Sequence, residues 1–255
     1  MATPDKDTQE IRTLDITDLE RIERYRRAGY GGSVSDALYS LGVRDTVFSD
    51  RFTALRQGMQ LVGRALPIKV HSQVDYALTP GLQKEMEAKW EAEGGHPQKR
   101  MMRAVAEAEP GVVLCFDCGG DMQPAHFGEM SCQLAYAHGC RGMLLAGNCR
   151  DTQYVLKMPD FPMFSFGTRP NWYGGWIITE VNQPIYLPGH LTHYVRVMPG
   201  DFIFGDNDGV QLIPKDLVDE VLLRVEKTFE HENKEREALA AGMPIDEVYR
   251  VFGVL

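Results

Sequence analysis

The 255-residue sequence has no apolar run near the roughly 18 residues that a membrane-crossing helix needs, so no membrane partner is expected. It has no excess of positive charge either. Its 27 lysines and arginines face 36 aspartates and glutamates, a net charge of −9. Phosphate binding needs a basic face, so nucleic acid is not expected as a main partner. Cysteine is sparse and odd in number: Cys115, Cys118, Cys132, Cys140 and Cys149. A chain this long can bury a core without covalent staples, and reduced thiols are expected rather than a disulfide framework. The opening residues, MATPDKDTQEIRTLD, lack the apolar stretch of a secretory leader, which predicts a cytoplasmic location. There is no internal repeat and no low-complexity tract.

What is present, 44% hydrophobic and 25% charged residues, is the profile of an ordinary globular protein. Residues 1–32 are polar and end in Gly-Tyr-Gly-Gly, which reads as a flexible lead-in to a single domain over residues 33–255. SVSDALYSLGV predicts a helix capped by Ser33 or Ser35 and stopped by Gly42. MQLVGRALPIKVH predicts a strand with a bend at Gly63 and Pro67. The composition then turns charged and helix-favouring, and near 79–100 it is split by Gly-Gly-His-Pro, predicting a helical insertion that leaves the core. GVVLCFDCGG reads as a buried strand, residues 128–138 as a helix stopped by Gly139, and CRGMLLAGN as a second buried strand. Strand, helix, strand at this spacing is a parallel βαβ unit with a right-handed crossover. Beyond it come short strands and turns, and then a long and a short amphipathic helix at the carboxyl end.

The chemistry-bearing residues gather at one rim of that unit. Ligands of α/β sheets collect at the carboxyl ends of strands, where the next helix presents unpaired backbone N–H groups. The helix opening at Gly128-Glu129-Met130-Ser131 is an anion site by position, and Arg150 and Asp151 emerge after the second strand at the same rim. Carboxylates beside an arginine suit a hard divalent cation together with a small oxoacid. The plainer alternative is a surface Arg150-Asp151 pair, with Glu129 a favourable acid in a first helical turn. Cys115-Phe116-Asp117-Cys118 imitates a metal motif, but strand alternation sends its sulfurs to opposite faces. His126 is the histidine placed for proton transfer. Gly-Asp-Asn-Asp-Gly at 205–209 reads as a hairpin turn rather than a calcium loop.

Glu129 with its preceding glycine, then Arg150-Asp151 after the next strand, resembles the RraA-like superfamily, whose enzymatic members are class II aldolases of 4-hydroxy-4-methyl-2-oxoglutarate and 4-carboxy-4-hydroxy-2-oxoadipate. SVSDAL, LVGRALPIKV, VMPGDFIFGDNDGVQLIPKDL and KEREALAAGMPIDEVYRVFGVL agree in order, so the resemblance spans about residues 33–255 and leaves the insertion unaccounted for. It implies an α/β, swivelling β/β/α fold, assembled as a homotrimer or hexamer with sites at subunit interfaces. It implies that Asp151 holds Mg²⁺ or Mn²⁺, that Arg150 binds the keto oxygen, and that the amides of Gly128, Glu129, Met130 and Ser131 cradle a pyruvyl carboxylate. Glu129 would orient metal-bound water, and a carboxyl-terminal glutamate of a neighbouring subunit, Glu232 or alternatively Glu235, would complete the site.

The resemblance thus implies a metal-dependent lyase that cleaves a 4-hydroxy-2-oxo acid to pyruvate and a carbonyl product, with oxaloacetate decarboxylation as a side activity. A non-enzymatic binding protein, like the superfamily member that inhibits ribonuclease E, and a related lyase or hydratase of another sugar acid are the alternatives. The sequence departs from the family pattern in reading AGNCRD where members often have DGAVRD. It also carries TRPNWYGGW, which puts Trp172, Tyr173 and Trp176 near the rim. Together with the insertion, these departures predict a different or larger second substrate fragment.

Overall fold

From residue 11 onward, the polar opening segment is not a loose lead-in. In the computed structural model, which describes residues 11–72, 80–172 and 175–253, residues Asp18–Ala28 form helix α1. Thr17 caps it, its hydroxyl accepting the Glu20 N–H at 3.2 Å. Ile22, Tyr25 and Ala28 are buried on one face. The flexible reading fails for the described part of residues 1–32 because ion pairs supplement a narrow apolar stripe. Arg12 grips Glu220, Arg21 grips Asp219 and Arg24 grips Glu226, each through two nitrogens. The next helix, α2 (Gly31–Ser40), starts earlier than expected. Ser33 is its third residue, and its hydroxyl reaches back to accept the Tyr30 N–H at 3.2 Å. Gly42, at φ +78°, ends it in the left-handed conformation that glycine tolerates.

Strand β1 (Thr53–Ala54) is followed by the 12-residue β2 (Leu61–Ser72), the long axis of the sheet. One edge of β2 pairs in parallel with β3 (Val112–Asp117). Its other edge is shared by two antiparallel partners, β10 (Phe202–Asp206) over Leu61–Arg64 and β7 (Trp176–Val181) over Ile68–Ser72. Pro67, which has no N–H to donate, lies in the gap where one partner hands over to the other. The strand therefore continues through Gly63 and Pro67, where the sequence suggested a bend.

The two helices of the insertion are α3 (Pro80–Ala92) and α4 (Pro97–Glu107), split at Gly-Gly-His-Pro as predicted. The second does not leave the core. It is the crossover helix between parallel β2 and β3, and it buries Met101, Met102 and Val105 against the sheet. After β3 come the short β4 (Ala125–Phe127), α5 (Glu129–Ala137) and β5 (Cys140–Cys149). β3 and β5 run parallel, which completes the βαβ unit. A single turn, α6 (Thr152–Val155), leads to β6 (Met163–Thr168), again parallel to β5. β8 (Ile185–Pro188) and β9 (Tyr194–Val197) form a separate antiparallel pair. β10 turns into β11 (Gly209–Ile213) with Asp206 opposite Gly209, the two-residue hairpin expected there. Helices α7 (Val218–Ala240) and α8 (Ile245–Phe252) close the chain.

Among the described residues the main sheet runs β1-β6-β5-β3-β2-β10-β11, with β4 beside β5 and β7 beside β2. Alternation along β3 divides its side chains between two layers. Val112, Leu114 and Phe116 face α4 and α5, while Val113 and Cys115 face the β8–β9 pair. Cys115 and Cys118 accordingly sit in different layers, as strand geometry required. Each fully buried Leu or Phe contributes about 1.5–3 kcal/mol, so this alternation is a strong determinant of register. A third cluster joins α1, α2 and α7 to β10 and β11 around Tyr25, Phe202 and Phe204. No helix among the described residues is long and apolar enough to cross a membrane.

Candidate active site

Because β2, β3, β5 and β6 are parallel, their carboxyl ends share one edge, and the loops leaving them meet there. The loop after β3 is held by Asn148, a fully buried side chain near the end of β5. Its Nδ2 donates to the carbonyls of Met122 (2.8 Å) and Pro124 (3.1 Å). The loop from β6 to β7 is tied to the same place, since Ala125 N–H donates to the Asn171 carbonyl at 2.9 Å and Asn171 Nδ2 to the Gln123 carbonyl at 3.1 Å. The sequence marked Asn148 only as a departure; its part is to fix the wall of the site.

At this rim the two ends of the βαβ unit meet. Gly128 caps α5, and the first bond inside that helix runs from Cys132 N–H to the Gly128 carbonyl. The first-turn amides before it are therefore offered outward. That of Glu129 donates to Asp151 Oδ2 at 3.3 Å, and Arg150 Nε lies 3.6 Å from the same oxygen. Gly128 is required by close approach, because a Cβ there would stand 2.6 Å from Asp151 Oδ2 and 3.1 Å from Arg150 Nε. Asp151 itself has φ +58°, a left-handed conformation uncommon for a residue with a side chain. It caps α6, whose first turn bonds back to its carbonyl. The side chains of Arg150 and Asp151 are 39% and 46% exposed, open to a ligand from solvent.

Gly128, Ser131 and Arg150 line a cavity of about 270 Å³. Glu129 is half-buried beside it and Met130 is exposed. The far wall comes from the insertion, Trp90 and His96 through Gln98, and from Trp172 and Trp176; Tyr173 lies outside the described residues. Gln98 Nε2 donates to Ser131 Oγ at 2.8 Å and joins the two walls. Trp90 and His96 were not singled out from the sequence, although the Gly-Gly-His-Pro break could have flagged them. The His96 ring caps α4, accepting the Gln98 N–H at 3.1 Å. Burial, with some help from Arg100, lowers its pKa.

His126 is in the wall as well, 3% exposed, its ring 5.6 Å from that of Trp176. Neither ring nitrogen has a hydrogen-bond partner among the described residues. Burial lowers its pKa, while Asp121 and the nearby Asn148 backbone, outside hydrogen-bonding geometry, pull it partly back. Gly147 makes room for the ring, since a Cβ there would meet Nδ1 at 2.7 Å.

Glu232 is not brought to this cavity within one protomer. On α7 its Oε1 accepts the Tyr30 hydroxyl at 2.5 Å and its Oε2 the Arg236 guanidinium at 2.6 Å. Burial, then Glu232, raises the Tyr30 hydroxyl to about 12. Glu235, the alternative, is also on α7 and does not line the cavity.

Among the described residues no three His, Cys, Asp or Glu side chains cluster as a metal cage. The oxygen donors at the rim still fit one kind of cation. Mg²⁺ and Mn²⁺ are hard, and Mg²⁺ typically keeps several waters while taking one or two carboxylates, a demand that exposed Asp151 with Glu129 nearby can meet.

A family model described as RraA-like, Aldolase/RraA, matches residues 32–212. A Halalkalibacterium halodurans protein named "Putative 4-hydroxy-4-methyl-2-oxoglutarate aldolase" is 35% identical over 127 residues, which is 50% of this chain and 58% of that one. The match thus spans less than two thirds of that relative. A Thermus thermophilus protein named 4-hydroxy-4-methyl-2-oxoglutarate aldolase is 31% identical over 116 residues, 45% of this chain and 67% of its own. Two solved structures share the fold. One is an uncharacterized protein from Pseudomonas syringae pv. tomato (TM-score 0.68, 20% identity, 92% of this chain and 99% of that one). The other is from Streptomyces coelicolor, described as an unusual member of the RNase ES inhibitor RraA protein family (TM-score 0.63, 22% identity, 89% of this chain and 100% of that one). The fold is the swivelling β/β/α arrangement, and the chain belongs to the RraA-like Aldolase/RraA family.

Proposed function

We propose that the protein is a divalent-metal-dependent lyase that cleaves a 4-hydroxy-2-oxo acid to pyruvate and a second carbonyl compound, and that also decarboxylates oxaloacetate. The observation that carries this reading is the meeting of the α5 amino terminus with Arg150 and Asp151 across the Glu129 N–H to Asp151 Oδ2 contact, at the mouth of the cavity. The names of the relatives support the same class of reaction.

In this mechanism the free first-turn amides of α5 and the positive end of its dipole bind the carboxylate of the pyruvyl half. Arg150 donates to the 2-keto oxygen and stabilises the negative charge that gathers there as the bond between C3 and C4 breaks. Asp151 would hold Mg²⁺ or Mn²⁺, which when bound supplies Lewis acidity at the keto oxygen. Glu129, half-buried and next to the donated amide, orders water at the rim and so positions the proton for the carbanion at C3. On this reading Glu232, or Glu235, enters from a neighbouring copy in a homotrimer or hexamer. Tyr30 and Arg236 hold the Glu232 carboxylate in place, which lowers the entropy cost of using it across an interface.

The test is pyruvate formation from oxaloacetate and from 4-hydroxy-2-oxo acids with Mg²⁺, coupled to lactate dehydrogenase. Activity should vanish with EDTA, return with Mg²⁺ or Mn²⁺, and fall at least about a hundredfold in Asp151→Ala. Unchanged activity in EDTA together with borohydride trapping of pyruvate on a lysine would overturn the proposal.

A further inference from the structure

All three tryptophans of the chain, Trp90, Trp172 and Trp176, line the cavity that reaches Arg150. They arrive from three places in the sequence: α3, the connection between β6 and β7, and the first residue of β7. Trp90 is 7% exposed, packed edge to face against His96 with centroids 4.5 Å apart, while Trp172 is 51% exposed at the mouth. Ile177 and Ile178 extend the wall. Among the described lining residues, Arg150 is the only lysine, arginine, aspartate or glutamate. In the proposed reaction that guanidinium is committed to the pyruvyl half.

A second carboxylate on the substrate would thus meet an aromatic wall that, among the described lining residues, offers no lysine or arginine beyond Arg150. An uncharged ring needs none. Aromatic faces and edges at these spacings attract another ring beyond the gain from its buried area. The wall also holds polar groups in want of a partner. His126, 97% buried by its 3% exposure, has both ring nitrogens unpartnered, and Trp176 Nε1 is buried without one among the described residues. Buried unpaired groups of this kind ask for hydrogen-bonding atoms on a ligand, which the C4 hydroxyl and the product carbonyl supply. The volume, about 270 Å³, lies just below the range of about 300–1,000 Å³ usual for small-molecule pockets, and its open mouth leaves room for a pyruvyl unit with a single ring.

We propose that the half of the substrate beyond the pyruvyl unit is an uncharged planar ring, so that the protein acts on 4-hydroxy-2-oxo acids with an aryl group at C4 and releases an aromatic aldehyde or ketone. This rests on the lyase reading above. The step balances without a further reactant. The C4 hydroxyl loses its proton and becomes the aryl carbonyl, the C3–C4 electron pair passes into the enolate of pyruvate, and C3 takes up a proton.

The experiment uses the full chain with Mg²⁺ and compares 4-hydroxy-2-oxo-4-phenylbutanoate with 4-hydroxy-4-methyl-2-oxoglutarate, which carries a second carboxylate. The phenyl substrate should have the higher kcat/KM by roughly ten- to hundredfold. Trp172→Ala should lower kcat/KM for the phenyl substrate, mainly through KM, at least about tenfold more than for oxaloacetate, which has no ring. Titration with 4-phenyl-2-oxobutanoate, which lacks the hydroxyl and cannot be cleaved, should quench tryptophan fluorescence saturably in the parent and more weakly in Trp176→Leu. Preference for the dicarboxylate, or an equal loss on both substrates in Trp172→Ala, overturns the ring assignment. Exchange of the pyruvate methyl protons in D₂O separates the two failures. Exchange without phenyl cleavage or quenching refutes the ring alone, and absence of exchange with every metal refutes the lyase reading.

Discussion

Gly128→Ala isolates the geometry of the rim from the stability of the fold. The backbone at Gly128, φ −123° and ψ 173°, is extended and open to alanine, so the substitution costs little backbone strain. Its methyl group would stand 2.6 Å from Asp151 Oδ2, where ordinary carbon–oxygen contacts need about 3.3–3.6 Å. The carboxylate must therefore retreat by about 0.7–1.0 Å, which the 3.3 Å bond from Glu129 N–H cannot survive. Asp151 is 46% exposed and can swing into water, so unfolding stability should change by no more than about 0.5 kcal/mol, or about 2 °C in Tm. Misplacing a reacting group by about 1 Å costs on the order of a hundredfold in rate. The expected result is a near-parental melting curve with kcat/KM for pyruvate release reduced about a hundredfold. Activity within about threefold of the parent, or a Tm loss above about 5 °C, would refute the contact as described.

Three further outcomes follow from the packing. Asn148→Ala strands the carbonyls of Met122 and Pro124 and should cost about 2 kcal/mol, read as a Tm loss of about 4–8 °C by calorimetry. Glu220, bonded first by Arg12 and also by Arg224, has its pKa lowered from 4.5 to about 2. Its stabilising effect is complete above 4.5 and is lost as pH falls toward 2, so urea unfolding should be less pH-dependent across that window in Glu220→Gln than in the parent. Finally, all five cysteines are buried and burial raises each thiol, that of Cys140 to about 11. Ellman's reagent should label less than about one thiol in the folded protein and all five once guanidinium unfolds it.

The βαβ unit was legible because its signals are local: β-branched runs bounded by Pro-Gly and Gly-Gly, and a helix closed by Gly139. The same locality brought Gly128, Arg150 and Asp151 to one rim on paper, and the structure holds them within a few ångströms of each other. Helix α1 was not legible, since its apolar stripe is short and its guanidiniums, Arg21 and Arg24, pair with carboxylates 198 and 202 positions away. The far wall of the cavity was half legible. Trp172 and Trp176 stood out as departures from the family pattern, whereas Trp90 gained its meaning only when α4 proved to be a crossover helix pressed on the sheet. Pairing of β2 with both β7 and β10 is likewise a long-range choice that no stretch of β2 encodes alone.

The clasp between α1 and α7 has a consequence for how the chain is made. Arg12, Arg21 and Arg24 emerge from the ribosome early, but Glu220, Asp219 and Glu226 follow 208, 198 and 202 residues later. At about 5–20 residues per second, the first helix waits on the order of ten seconds or more for its counter-charges. Through that interval Ile22, Tyr25 and Ala28 have no α7 to cover them. Loss of α7 by truncation or proteolysis would uncover the same side chains in the finished protein, with α1 then held to the sheet by Asp18 through Arg64 and Glu109.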